Sequence, residues 1–380
     1  MNVPLNAEEE YRYSRHLILP QVGLHGQERL KSARVLIIGA GGLGSPVALY
    51  LAAAGIGTIG ICDDDRVEIS NLQRQIIHNR HTINDLKVNS AAKAISSLNP
   101  YINVIPIPDR ITTENVLALI AQYDIIIDGT DNFPTRYLLN DACFMLKKPL
   151  IFGSIYQFSG QITIFDAANG PCYRCLYPSP PSPESVPSCA EGGVLGVLPG
   201  IIGTLQGLEA LKLILQIGTS LAGRLLLFDA LTTTFREIRV EKDPDCPLCG
   251  KNAAITSLTD YHEFCGVNST PQTIHEWNIS PKQLHDWTGK NSLQIIDIRT
   301  EWEVEDMAGL SDSTHIPYTS FTNRMHELDS AKDIVIYCAA GIRSWQMVHQ
   351  MRQSGFTRVW NLDGGLLRYR QYFNKKGYNK

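Results

Sequence analysis

The chain lacks an excess of either charge: 34 Lys and Arg stand against 38 Asp and Glu, a formal net charge of −4 over 380 residues. That balance gives no reason to bind nucleic acid by charge alone, and no nucleic-acid partner is expected. It lacks a basic start followed by an apolar stretch, so it reads as unprocessed and cytoplasmic. It also lacks an unbroken hydrophobic run of membrane-spanning length. Its most apolar long stretch, GGVLGVLPGIIGTLQGLEALKLILQIG, is interrupted by Pro199, Gln206, Glu209 and Lys212 and reads as a buried helix. Internal repeats and extended low-complexity tracts are missing as well. Cysteine is not scarce. There are nine, an odd count, and two pairs have C-x-x-C spacing, which in a cytosolic setting suggests metal binding or redox work before a disulfide framework.

At this length, with 44% hydrophobic residues, two domains are expected. RVLIIGAGGLGSPVALYLAAAG reads as a buried strand, a glycine turn and a helix, and TIGICDDD as a second strand ending in acids. Helical patterns at 85–98, 114–122 and 135–147 alternate with the strands INVIPI, DIIIDGTD and PLIFGSI, which predicts a parallel sheet with helices on both faces. QITIFDA and GRLLLFDALTTTFREIRV then read as antiparallel additions. Between them YPSPPSPESVPSCAEGG is Pro- and Ser-rich and is expected as a surface loop. Residues 251–275 are polar and aperiodic and are taken as a linker between a domain at 1–250 and another at 276–380. The second domain opens at SPKQLHDW with Ser280 as N-cap, and repeats strand–helix alternation through LQIIDIR, DIVIYC and RVWNLDGG.

Gly39, Gly41 and Gly44 make G-x-G-x-x-G between a strand and a helix. Such a turn lets backbone N–H groups approach a phosphate, and the helix N-terminus adds partial positive charge. Asp63, ending the next strand, suits a ribose hydroxyl. Alone this pattern fits any nucleotide, NAD included. Asn71 and Arg74 follow the ribose acid, Lys87 opens a helix, and Arg15 is a further cation. Several cations suit attack on a triphosphate, whose pyrophosphate leaving group gathers negative charge, and nicotinamide chemistry does not need them. Asp128 and Asp131 fall at the carboxyl end of a strand, where a carboxylate can hold Mg²⁺ against phosphates. A blander role for Asp131 or Asn132 is to cap the helix that follows.

RYSRHLILPQVGLHGQERL, GAGGLGSPVALYLAAAG, D-x-D-x-VExSNLxRQ and DGTDNFxTRYLLNDAC resemble the adenylyltransferases that activate ubiquitin-like sulfur-carrier proteins. This is the family of molybdopterin-synthase adenylyltransferase and its thiamine-pathway homologue, related to the ubiquitin-activating enzymes. The likeness runs from about residue 7 to 250. It implies a Rossmann-like, mostly parallel sheet with an antiparallel extension. It also implies that ATP adenylylates the C-terminal glycine of a small carrier ending in Gly-Gly. By the family pattern Gly42, Asp63, Ser70, Asn71, Leu72, Gln73, Arg74, Lys87, Asp131 and Asn132 contact ATP and its metal. The resemblance also implies a homodimer in which Arg15 reaches the neighbouring site.

Cys172, Cys175, Cys246 and Cys249 have the spacing of a four-thiolate Zn²⁺ site, structural because it leaves no open position. Cys62 and Cys143 read as small buried hydrophobes. Cys265 lies in the expected linker and is assigned nothing. Cys189, in the Pro-rich loop, is either an exposed thiol or a nucleophile that could attack an acyl-adenylate.

In VIYCAAGIRSW a strand runs into Cys338, and Arg343 opens a helix, giving a C-x4-R loop. Inward-pointing N–H groups, the helix N-terminus and Arg343 would stabilise a thiolate or persulfide anion. Cysteine phosphatases use C-x5-R; the shorter loop suits a single sulfur. LQIIDIRTEWEVE, HIP, YCAAGIRS and NLDGG together resemble a rhodanese domain over about 278–380, a small α/β fold, which implies a Cys338 persulfide. The combined expectation is a carrier thiocarboxylate for molybdopterin, thiamine or tRNA chemistry, with sulfur from a cysteine desulfurase or thiosulfate. An adenylyltransferase with a non-catalytic rhodanese docking module, and an NAD(P)-dependent oxidoreductase, are the alternatives.

Overall fold

The computed structural model describes residues 3–166, 170–180, 193–265, 277–288, 292–339 and 341–374. The chain divides into two compact units, Met1–Asn268 and Ser269–Lys380.

Among its described residues the first unit is built on eight strands: β1 (Arg34–Ile38), β2 (Thr58–Cys62), β3 (Asn103–Ile107), β4 (Ile125–Asp128), β5 (Leu150–Tyr156), β6 (Ser159–Phe165), β7 (Arg224–Asp229) and β8 (Thr234–Arg239). Their spatial order is β3-β2-β1-β4-β5-β6-β7-β8, parallel from β3 to β5 and antiparallel from β5 to β8. The run Val35-Leu36-Ile37 has no exposed surface because β1 is central and covered on both faces. Strand alternation sends Val35 and Ile37 into one apolar cluster and Leu36 and Ile38 into another, so one strand seeds two cores. The helix Gly44–Ala54 covers the first face and ends at Gly55, whose φ of +90° is the left-handed stop that glycine allows. The helix Lys87–Leu98 buries Val88, Ala91 and Ile95, spaced three and four apart on one stripe. The helix Phe133–Met145 packs on the second face.

The long apolar stretch forms the helix Leu198–Leu215. It is long and apolar enough to cross a membrane by length and composition, yet its core side packs on the helix Gly44–Ala54, β5 and β6. Gln206, wholly buried on it, donates to the carbonyls of Asp128 and Ile151 and so ties the helix to β4 and β5.

Part of the expected linker folds back. The helix Tyr261–Phe264 packs on the helix Phe133–Met145, the Tyr261 hydroxyl donates to Asp141 at 2.7 Å, and Cys265 is buried in that cluster. Its short sequence carries no periodic signal; Tyr261, Phe264 and Cys265 anchor it.

Among its described residues the second unit has five parallel strands: β9 (Asn278–Ile279), β10 (Leu293–Asp297), β11 (Ser313–His315), β12 (Asp333–Tyr337) and β13 (Val359–Leu362), in the order β11-β10-β12-β13-β9. Ser280 caps the helix Pro281–Trp287 as expected, its hydroxyl accepting from the Gln283 N–H. Along β12, Ile334 and Ile336 face one cluster and Val335 and Tyr337 the other; Cys338 continues the first face.

Candidate functional site

In the first sheet the chain leaves β1 toward β2 on one side and later adds β4 on the other. The carboxyl ends of β1, β2 and β4 therefore open onto a switch point, the place where open α/β sheets bind ligands. Each end carries one of the expected motifs: Gly39 after β1, Asp63 after β2, and Asp128 to Asp131 at the end of β4. A cavity of about 280 Å³ lies there, lined by Gly39, Gly41, Gly42, Asp63, Arg74, Lys87, Asp131 and Asn132 among the expected residues.

The three glycines do different things. Gly39 has φ +96°, and a Cβ on it would sit 2.8 Å from the Gly129 carbonyl oxygen. Gly44 would drive a side chain into the carbonyl of Gly39, so both keep β1, β4 and the helix in close packing. Gly41 is open toward the cavity, its nearest neighbour in the Cβ direction being the Gln75 amide at 3.7 Å. Asp63 is held from both sides: one oxygen accepts from the Ala40 N–H at 2.8 Å and the other from the Asp65 N–H at 2.8 Å. Lys87, mostly buried, donates to Asp65 at 2.7 Å.

Ser70, Asn71, Leu72 and Gln73 do not line the cavity. They form the turn that presents Arg74, whose guanidinium donates to the Ser70 carbonyl at 3.1 Å. Asn132 caps the helix Phe133–Met145 by accepting from the Thr135 N–H at 3.0 Å, while Asp131 is exposed in the cavity wall. The capping role thus falls to Asn132, which also lines the cavity beside Asp131. Arg15, on the short helix Ser14–Leu17, is exposed and lies outside the cavity wall. Cys62 and Cys143 are buried, as small hydrophobes would be.

Sequence reading missed several wall residues: Asp64, Asp65, Gln75, Arg110 and Arg136. Arg136 is nearly buried, lies over the rings of Phe133 and Phe152, and donates to the Thr130 carbonyl at 3.2 Å. Behind them Asp128 is wholly buried. Burial pushes its carboxyl up, against the opposing pull of Arg136 and of the Thr130 hydroxyl and N–H. For His78, also buried, burial is the chief cause of a lowered pKa, with the Ala40 carbonyl pulling the other way and Lys87 adding to the lowering.

At the far side of this unit the sulfurs of Cys172, Cys175, Cys246 and Cys249 lie within 4.8 Å of one another, placed to hold one metal ion. Of the first C-x-x-C, Cys172 caps the start of the helix Tyr173–Leu176 and Cys175 lies within it, and Arg174 between them makes a two-point, buried ion pair with Asp141 at 2.9 and 2.7 Å. Asp141 belongs to the helix that starts beside Asp131, so one helix spans the distance from the cavity to the sulfur cluster. Cys189 lies outside the described residues.

In the second unit the Cys338 sulfur is buried and accepts from the Gly341 N–H at 3.1 Å and the Ser344 hydroxyl at 3.4 Å. Gly341 has φ +88°, and a Cβ there would press on the backbone nitrogen of Gly364 at 2.8 Å. The NLDGG turn thus packs directly on the cysteine loop, and the Leu366 N–H donates to the Cys338 carbonyl at 2.9 Å. Arg343 lies beside the Cys338 sulfur as expected, and Glu303 also engages it in a two-point ion pair at 2.9 and 2.6 Å. Burial would raise the Glu303 carboxyl, but Arg343 and the N–H and hydroxyl of Thr300 outweigh it and bring it down to about 2. Arg299, buried, is fixed by Asp297, and Tyr337 donates to the same carboxylate at 2.8 Å.

Residues 13–248 match the ThiF family, and residues 280–372 match the rhodanese-like domain. A Mycobacterium tuberculosis protein named probable adenylyltransferase/sulfurtransferase MoeZ is 46% identical over 374 residues, covering 96% of this chain and 93% of its own. The Thermus thermophilus sulfur carrier protein adenylyltransferase is 52% identical over 265 residues, 68% of this chain and 98% of its own. The Danio rerio adenylyltransferase and sulfurtransferase MOCS3 is 44% identical, covering 86% of this chain and 73% of its own. Among solved structures, E. coli MccB with ATP superposes with a TM-score of 0.55 at 21% identity over 63% of this chain and 74% of that one, a likeness of fold. With the switch-point cavity in one unit and the cysteine loop in the other, these matches lead to one conclusion: the chain belongs to the ThiF family and carries a rhodanese-like domain after it.

Proposed function

We propose that this chain uses ATP to adenylylate the C-terminal glycine of a ubiquitin-like sulfur-carrier protein and then replaces the adenylate with sulfur held on Cys338. The observation that carries the reading is the gathering of Gly41, Asp63, Arg74, Lys87 and Asp131 around one cavity at the sheet's switch point. A hydride-transfer enzyme has no use for that many charges at the phosphate end. A carboxylate attacking the α-phosphorus does, because pyrophosphate leaves with growing negative charge. The names of the relatives support the same chemistry.

In this reading Gly41 and Gly42 let the backbone approach the phosphates, and Asp63 takes the ribose. Arg74 and Lys87 stabilise the leaving pyrophosphate, and Asp131 would hold Mg²⁺, which neutralises phosphate charge when bound. The four-cysteine cluster would hold Zn²⁺: Zn–S bonds of about 2.3 Å put tetrahedral sulfurs about 3.8 Å apart. The observed contacts of 3.3, 3.6 and 3.9 Å bracket that value. Closed by protein on all sides, such an ion is structural.

For the second half, the Cys338 persulfide attacks the acyl carbon and AMP leaves. A further thiol, Cys189 or an external one, then attacks the Cys338 sulfur, releasing the thiocarboxylate and leaving a disulfide. The sulfur reaches Cys338 from a desulfurase persulfide or thiosulfate. We further propose a cytoplasmic homodimer in which Arg15 serves the neighbouring site. The exposed Ile18, Leu19 and Leu24 beside it support such a face. The deciding experiment is ATP–pyrophosphate exchange with each candidate carrier: exchange that appears only with a Gly-Gly-ended carrier supports the reading, and none with any carrier overturns it.

A further inference from the structure

Ala40 sits between the first two glycines of the phosphate turn, and both polar groups of its backbone are taken. Its N–H donates to Asp63 at 2.8 Å, and its carbonyl oxygen lies 2.9 Å from Nε2 of His78. A carbonyl can only accept, so Nε2 carries the imidazole proton and Nδ1 is left as an acceptor. Nδ1 lies 2.8 Å from the Ser90 hydroxyl, which then donates to it. Ser90 stands one turn into the helix whose first residue is Lys87. Lys87 in turn is bound to Asp65 through its side chain at 2.7 Å and its backbone N–H at 2.9 Å, and Asp65 donates its own N–H to Asp63.

These contacts close a ring: Ala40, Asp63, Asp65, Lys87, Ser90, His78 and back to Ala40. His78 and Ser90 are buried, 6% and 1% exposed, so neither bond is diluted by solvent. Neither residue lines the cavity. We infer that His78 is a positioning residue for the nucleotide site, its two ring nitrogens fixing the glycine turn through Ala40 and the Lys87 helix through Ser90. The inference rests on the adenylylation reading for the ligand concerned. It divides the work of one side chain: the Nε2 bond sets the turn that receives the phosphates, and the Nδ1 bond sets the lysine that meets the leaving group.

The amide nitrogen of Gln can take the place of Nε2 as donor, and the amide oxygen of Asn the place of Nδ1 as acceptor, so substitutions separate the two bonds. His78→Gln and Ser90→Ala, which spare the Ala40 contact, should lower kcat of carrier-dependent pyrophosphate exchange with little change in KM for ATP. His78→Asn, which loses the Ala40 contact, should raise KM for ATP. Each loss should be roughly tenfold, the size expected for breaking a buried neutral hydrogen bond and stranding its partner. His78→Ala should do both, and adding Ser90→Ala to it should cost little more, because the bond is already gone. Melting temperature and binding of a fluorescent ATP analogue are measured on every variant, so that unfolding is not mistaken for misplacement. Folded His78→Gln and Ser90→Ala proteins with wild-type kcat and KM, or a double variant whose losses simply multiply, would overturn the inference. Wild-type protein that fails to bind the ATP analogue would instead overturn the adenylylation reading, and this inference with it.

Discussion

The two units place charge in opposite ways around their reactive centres. In the first, Arg74, Lys87 and Asp131 line an open cavity at the ends of three strands. In the second, the cation nearest the reactive sulfur, Arg343, is bound at two points by Glu303, and the sulfur itself rests on the Gly341 N–H and the Ser344 hydroxyl. A polyanion needs room and more than one cation at its edge, although Lys87 there is itself held by Asp65 at 2.7 Å. One sulfur anion needs only a few fixed dipoles at close range. The contrast separates a site built to receive a large ligand from one built to hold a single atom.

The sharpest way to break that contrast is at Asp131. If the cavity acts through its charges, Asp131→Ala should lower carrier-dependent pyrophosphate exchange on the order of 100-fold or more, while sulfur loading of Cys338 from thiosulfate stays normal. Near-normal exchange in a folded variant would remove Asp131 from the site. A smaller effect, on stability, is expected at the sulfur cluster. Cys246→Ser should lose bound metal and lower the melting temperature by roughly 5 °C or more, because the ion joins segments far apart in the chain. Metal analysis with thermal denaturation checks both together, and a metal-free wild-type protein of full stability would contradict it.

The smallest effect tests the pairing in the second unit. The Glu303 carboxyl sits at about 2 in the folded chain and near 4.3 when unfolded. Its contribution is therefore fully present above the unfolded value and fades as pH falls through the folded one. Glu303→Gln should be less stable than wild type at pH 7, and the gap should close between about pH 4.5 and 2. Denaturant unfolding across that range measures it; a gap independent of pH would show that the ion pair does not carry the difference.

Much of both units was legible from sequence because the signals are local. G-x-G-x-x-G follows a run of apolar residues that only a central strand explains, and the two C-x-x-C pairs announce their own geometry. The Ser280 cap and the Cys338 strand end were readable for the same reason. What was not legible depends on distant segments meeting. Glu303 finds Arg343 across 40 residues, and Tyr261 returns to Asp141 across 120, which turned part of the expected linker into a docked helix. Asp65 and Gln75 line the cavity from the connection after β2, Arg110 from the loop after β3 and Arg136 from the helix Phe133–Met145, and no spacing rule joins them. Ser70, Asn71, Leu72 and Gln73 stood out as a motif, and in the fold they shape the turn that carries Arg74.

The central claim is that one unit activates a carboxylate and the other supplies its sulfur. Cys338→Ala tests it most directly, in the full chain with its carrier, ATP and a sulfur donor. Pyrophosphate exchange and mass spectrometry of the carrier's C-terminus are read on the same sample. The account predicts exchange near the wild-type rate with no oxygen replaced by sulfur in the carrier. Thiocarboxylate formed at the normal rate by Cys338→Ala would contradict it, leaving the rhodanese-like domain as a docking module and Cys189 as the thiol to examine.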